Sequence, residues 1–463
     1  MKHILFALVV IFGMSATLAC TVFLVHQHRQ GTVIHQFIAS GPANLTREEA
    51  AARREGIPLT AQQLQQSLPP ADQNAAPLYT KLTKLLHDRP LGLPKYAEGM
   101  DALHSYTPAQ IAAVRRTLAA RQDVMTLVHE AADKPQCVFV RDWNKGRDLA
   151  WPEYQALLAS AWLLKTESYL LARDGQYQSA IANQSRGFRI AAHAASDPVL
   201  IEYLVGIACE SRTLSGMQSI LTLAGPNSAV AQAVQKSDRN APPRPSLRSA
   251  MAGETGFDCL SFARMHHSER YGVQEVMFVG GLSPEKPTAA QLVSPAEQVR
   301  VHDLIDGWQA DFLSRMRQAV HACDSSAATR RAVFAALGEQ PELPDPETSV
   351  RLASYVLLPV FSRMDLNDTR TRAREAVTLA AAAVLAARAR TGTFPAALPS
   401  QFTDPFTEKP LGYHRDGAGG FIVYSAGPTG RFDGGKPSEK TPPQESLFRY
   451  PPARLPITPD MLK

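Results

Sequence analysis

The sequence predicts a mainly α protein: a single N-terminal transmembrane helix, a helical-bundle body, and a small C-terminal α+β module with a short antiparallel sheet. Three observations carry this. Ile4–Val25 is an apolar run without a charge or a proline. From there to about residue 410 apolar side chains recur at helical spacing, and β-branched alternation is rare. Beyond that point Leu411–His414 and Gly420–Tyr424 have the composition of two short strands, joined by the turn-rich Arg415–Gly419. The division that follows is 1–29 as membrane anchor, 30–345 as helical body, 346–435 as a long helix feeding a β module, and 436–463 as a proline-rich tail.

The anchor comes first. At about 1.5 Å per residue, Ile4–Val25 is long enough for a hydrocarbon core of roughly 30 Å. It continues past Ser15–Ala19, the one small-x-small site where a signal peptidase would cut, so the segment is expected to stay attached. The short flank Met1-Lys2-His3 favours an N-terminus inside and a body outside, giving a single-pass protein of the cytoplasmic (inner) membrane with a periplasmic or extracytoplasmic body. Thr17-Leu18-Ala19-Cys20 approximates a lipoprotein box, but Thr17 stands where a Leu-like residue belongs, and the residues after Cys20 stay apolar where a lipoprotein turns polar. Both readings leave the body tethered to a membrane, through residues 4–25 or through a lipid on Cys20.

The formal charge is +5, with Lys2 and Arg29 beside the anchor and the rest scattered. A nucleic-acid surface needs a basic stripe, and none is present. Cys137, Cys209, Cys259 and Cys323 form no C-x-x-C pair, which excludes a zinc ribbon or a thioredoxin-type site. In an oxidising compartment they could pair in three ways. Cys209, within an apolar stretch, has the setting of a small core residue.

Along the body, residues 30–45 are expected to be a stem. Thr46 with Glu49 and Thr60 with Gln63 have the spacing of reciprocal helix caps. Thr107-Pro108-Ala109-Gln110 opens a helix whose face is Ile111, Val114, Leu118, Met125 and Val128. Leu157 to Leu171 give a second buried stripe ending at Asp174-Gly175. Another helix begins at Tyr177, and Asp197-Pro198 opens a third that is apolar nearly all round. From 226 to 292 the pattern loosens, with loops at Pro242-Pro243 and Gly280-Gly281. Ser294-Pro295-Ala296-Glu297 starts a long amphipathic helix. A last helical block, about 347–390, is expected to break at Pro359 and near Asn367-Asp368, and to end on Arg388, Arg390 and Gly392. The proline-rich end predicts an irregular or extended tail.

Two helices joined by Asp174-Gly175, with Tyr177, Ala180 and Ile181 on the second, resemble a tetratricopeptide-type (TPR-like) hairpin, although no second copy recurs at a fixed period. Phe394-Pro395, Asp404-Pro405, Lys409-Pro410, Tyr413 and Phe421–Pro428 together resemble the C-terminal region of type II secretion pseudopilins of the G type. That resemblance covers roughly 366–435 and implies a long helix, a small antiparallel sheet and calcium in the closing loop, where Asp433 is the acidic candidate. The pseudopilin leader is absent. The layout from Lys134 through Trp143 and the 151–223 helices to Asp433-Gly434-Gly435 is similar to a group of bacterial membrane-anchored helical proteins of uncharacterised activity, which implies a fold and no reaction.

Little chemistry is legible. Gly430–Lys436 has the spacing of a phosphate loop, but Pro437 stands where Ser or Thr must follow. There is no Gly-x-Ser-x-Gly elbow and no His-Glu-x-x-His helix. His266 and Glu269 fall on one helical face, and His302 with Asp303 and Asp306 is the nearest histidine-bearing acidic helix. The plain expectation is a solvated polar face; the metal candidates are His266, Glu269, His302 and Asp433. Trp143, Trp151 and Tyr154 near Arg141 are expected in the core rather than along a peptide groove. The functional expectation is therefore a membrane-anchored protein-interaction or scaffold protein, partnered by other envelope proteins, without a cofactor. A metal-dependent envelope enzyme is one alternative, and an accessory of a secretion or pilus-like machine another.

Overall fold

The structure, a computed structural model, describes residues 31–243, 246–279, 292–338, 358, 361–416, 419–432, 434 and 447–453. Ile4–Val25, Cys20, Gly280-Gly281, Pro359 and Asp433 lie outside them. Among the described residues no helix is long and apolar enough to cross a membrane.

The chain is mainly helical, with one small sheet. Its helices are α1 (Gly31–Arg54), α2 (Ala61–Leu64), α3 (Ala76–Asp88), α4 (Pro108–Ala120), α5 (Gln122–Asp133), α6 (Tyr154–Arg173), α7 (Tyr177–Ala194), α8 (Leu200–Ala224), α9 (Ser228–Arg239), α10 (Leu247–Ser268), α11 (Gly272–Val279), α12 (Pro295–Ala322), α13 (Ala327–Gly338) and α14 (Phe361–Thr391). The strands β1 (Gly412–Asp416), β2 (Gly420–Tyr424) and β3 (Leu447–Tyr450) form an antiparallel sheet in that order.

Several local signals act as expected. Thr107 and Gln110 make a complete capping box. Ser294 accepts the Glu297 amide at the start of α12. Gly392, at φ 76°, ends α14 by donating to the Arg388 carbonyl. Others are overridden. The expected stem is helix: α1 runs straight through Pro42, and Thr46 is no cap, because its hydroxyl donates to the Pro42 carbonyl inside the helix. Ile34 and Ile38 are buried against α12, and that packing outweighs the backbone bond lost at proline. The face from Ile111 to Val128 is buried as expected, but it belongs to two helices, since Arg121 adopts φ −119°, ψ 39°. The break expected near Asn367-Asp368 does not occur. There the Asp368 side chain turns inward to accept the Tyr203 hydroxyl (2.6 Å) and Arg372 (2.8 Å), so it does not compete for the helix backbone. The loosely patterned stretch after 226 contains α10, buried on nearly every side and therefore without an amphipathic signature. The proline-rich end supplies β3, whose Phe448 lies opposite Val423.

Three apolar cores share one helix. Leu200, Tyr203 and Ile207 of α8 enter a core with α1, α10, α12 and α13. Val205 and Cys209 enter a second with α3 to α7. Leu214, Met217, Ile220 and Leu221 enter a third with α9, α14 and the sheet. The β module is thus packed on the helical body. Cys137, Cys209 and Cys259 are buried free thiols, and Cys323 is a half-buried one.

Helices α1 and α12 approach to backbone contact. A Cβ at Gly41 would lie 2.2 Å from the Asp303 carbonyl oxygen, and one at Gly307 would lie 2.6 Å from Phe37 Cε1. Gly41→Ala is expected to cost about 1–3 kcal/mol in urea denaturation by forcing these helices apart.

Charge is buried between α6, α8 and α10. The Arg141 guanidinium binds Asp197 (2.9 Å), Glu202 (3.0 Å) and Glu153 (3.2 Å), and lies 4.5 Å from the centres of both the Phe139 and Trp151 rings. Trp143 is a core residue, as expected, at 2% exposure. One turn of α10 adds Asp258, paired with Arg147, and Glu254, which accepts the Leu200 amide. Burial, reinforced by Asp258, pushes the Glu254 carboxyl up to about 8. The folded protein therefore keeps a proton that the unfolded chain releases near pH 4.5, and its stability falls as pH rises from about 4.5 through 8. Glu254→Gln retains the acceptor for Leu200. It is expected to flatten this slope and to raise stability at pH 8.5 by about 1–2 kcal/mol, read from urea melts at pH 5 and 8.5.

Candidate metal centre

The end of α10, the short 3-10 turn Glu269–Tyr271 and the first half of α12 meet in one polar cluster. His266 lies in the last turn of α10, and Glu269, three residues on, opens the turn. His302 and Asp306 are one helical turn apart on α12, so both face α10. The position of α12 is fixed from behind, where Gly41 of α1 sits against the Asp303 carbonyl and the Gly307 amide.

The four groups alternate. Glu269 Oε2 lies 2.8 Å from His302 Nδ1 and 3.4 Å from His266 Nδ1. Asp306 lies 3.2 Å from His266 Nε2 and 3.7 Å from His302 Nε2. The imidazole centres are 4.6 Å apart. Gln298 donates to the other Glu269 oxygen at 3.0 Å. Burial disfavours a charged His266, but Asp306 and Glu269 outweigh it and hold its pKa above the ordinary imidazole value. Burial likewise pushes Glu269 up, and the donors Gln298, His302 and His266 more than offset that, leaving its carboxyl below the usual range.

This order of contacts separates two roles. With Glu269 accepting from both Nδ1 atoms, the Nε2 atoms of both histidines turn toward Asp306. One nitrogen from His266, one from His302 and one oxygen from Asp306 lie within 4.8 Å of one another. In a tetrahedral zinc site, bonds of about 2.0–2.1 Å put neighbouring ligand atoms roughly 3.3 Å apart. The closest approach of this kind here is Asp306 Oδ1 to His266 Nε2 at 3.2 Å, while His302 Nε2 lies 3.7 Å from the other Asp306 oxygen. Were a metal held there, Glu269 would stand outside the ligand set and fix ring tautomer and orientation, as carboxylates do behind metal-bound histidines. Asp306 is buried, while His302 is half exposed, so solvent reaches the cluster from the His302 side.

The structure therefore brings together His266, Glu269 and His302 and adds Asp306. Asp433 lies outside the described residues. The His302–Asp306 spacing was a visible signal, since residues i and i+4 share a helical face. The distance between His266 and His302 was not, because it depends on how α10 and α12 pack. No family model, curated protein or solved structure matches this chain.

Proposed function

We propose that this chain is a membrane-tethered, extracytoplasmic helical protein that binds one divalent transition metal, of the zinc class, through His266, His302 and Asp306, with Glu269 as the outer carboxylate. The observation that supports this most is the shared approach of Glu269 Oε2 to both Nδ1 atoms, which leaves both Nε2 atoms on the Asp306 side. Three protein ligands and one solvent-facing position form the pattern of catalytic rather than structural zinc. A metal held this way supplies Lewis acidity and an acidified water, so the reading extends to hydrolysis of a substrate reaching the His302 side.

The tether is read from the apolar run Ile4–Val25, and α1, which packs on α12, follows that run in the chain. A second reading, an envelope interaction protein, is favoured by the TPR-like pairing of α6 and α7 and by the pseudopilin-like order of α14, β1 and β2.

The test uses the full chain in detergent, freed of metal by chelator and titrated with Zn(II) and Co(II). The expected result is one metal per chain, with a tetrahedral Co(II) spectrum. Binding is lost in His266→Ala and His302→Ala and weakened roughly 10–100-fold in Glu269→Gln. Zinc should also raise the melting temperature of the wild-type protein and not that of His302→Ala. Substoichiometric binding, or equal binding by all variants, would sink the proposal.

A further inference from the structure

We infer that the groove between α7 and α9 is a binding site for a phosphate ester, held by Arg189 and Lys236. Along α7, Gln178, Ser185 and Arg189 recur at helical spacing and share one face. Lys236 and Asn240, four residues apart, share a face at the end of α9. The Ser185 and Ser237 hydroxyls, 2.6 Å apart, join the two helices at this level, and Ile181, Val230 and Val234 belong to the same core beneath. Between the helices is an open cavity of about 440 Å³, and all six of these polar residues border it.

The chemistry of that border is one-sided. It holds two cations and two carboxamides, and no acidic side chain among the described residues. Neither cation is matched elsewhere. The Lys236 side chain is exposed and has no hydrogen-bond or ion-pair partner among the described residues. Lys236 lies in the last turn of α9, where the helix dipole favours a cation, but its three ammonium donors stay unspent. The one ion-pair contact of Arg189 is to Asp133, at 3.9 Å, too long for a hydrogen bond. That carboxylate is already bound by Arg186, at 2.8 and 3.0 Å.

These features specify the occupant. Two like charges bordering one cavity repel each other, and an anion between them relieves it. A dianion matches both cations, whereas a single carboxylate matches one. Arginine and lysine both bind phosphate, the first through its planar fork of donors and the second as a point charge. The rest of the border, including Ile181, Ala233 and Ala241, is apolar and suits the carbon skeleton of an ester. A soluble glycerol phosphate and a phospholipid headgroup share this chemistry. The site lies on elements other than α10 and α12 and does not depend on the metal reading.

The test titrates the full chain in detergent by calorimetry, with chelator present so that no metal takes up phosphate. The probes are glycerol 3-phosphate and dihexanoyl phosphatidic acid. The expected result is saturable binding that weakens roughly 10–100-fold in Arg189→Gln and in Lys236→Gln, each of which removes one charge-assisted contact, with melting temperatures unchanged. Lys236→Arg should restore most of the binding, and Arg54→Gln, at the exposed end of α1, should leave it intact. Tighter binding of the phosphatidic acid identifies a lipid headgroup as the source, and equal or weaker binding identifies a soluble ester. No saturable binding of either probe at about 10 mM, wild-type affinity in both glutamine variants of the groove, or an equal loss in Arg54→Gln would each overturn the inference.

Discussion

Helix α8 contributes to three apolar cores, and most of the architecture follows from that. Its first turns belong to the core built with α1, α10 and α12, its middle to the core of α3 to α7, and its last turns to the core shared with α14 and the sheet. A helix shared by three cores cannot be moved without opening all of them at once. The elements around it are therefore held in fixed mutual positions although they come from distant parts of the sequence. Gly206 and Gly216 allow this density, since a Cβ at either would strike α7 at less than 3 Å.

Such a helix also buries polar groups, and the structure meets that cost with specific partners. Glu202 pairs with Arg141, Tyr203 donates to Asp368 of α14, and the free amide of Leu200 is accepted by Glu254 of α10. Each contact joins α8 to a different element, so each fixes orientation as well as satisfying a charge or donor. The C-terminal module uses the same device. Buried Asp404 accepts the Ser425 hydroxyl and the amides of Phe406 and Ala426, tying the loop before β1 to the end of β2.

The cluster of His266, Glu269, His302 and Asp306 depends on this frame at one remove. His266 is at the end of α10 and His302 and Asp306 are on α12. Their meeting requires α12 to lie in a groove narrow enough for Gly41 and Gly307 to be the contact residues. A centre assembled across two packed helices is more precisely held than one on a loop, because the side chains inherit the rigidity of the core beneath them.

The sequence by itself determined the helical class, the caps at Thr107 and Ser294, the stop at Gly392, the two strands around residue 417 and the shared face of His302 and Asp306. These are local matters, decided by propensity, periodicity and hydrogen bonds within a few residues. Tertiary structure decided the rest. It carried α1 through Pro42 and α14 through Asp368, because burial of Ile34 and Ile38 and the bond from Tyr203 are worth more than the local preference to break. It made a strand of Leu447–Tyr450 because β2 offered an edge. It brought the His266 ring to 4.6 Å from the His302 ring, since the distance between residues on different helices is set by what packs between them and is written in no local pattern.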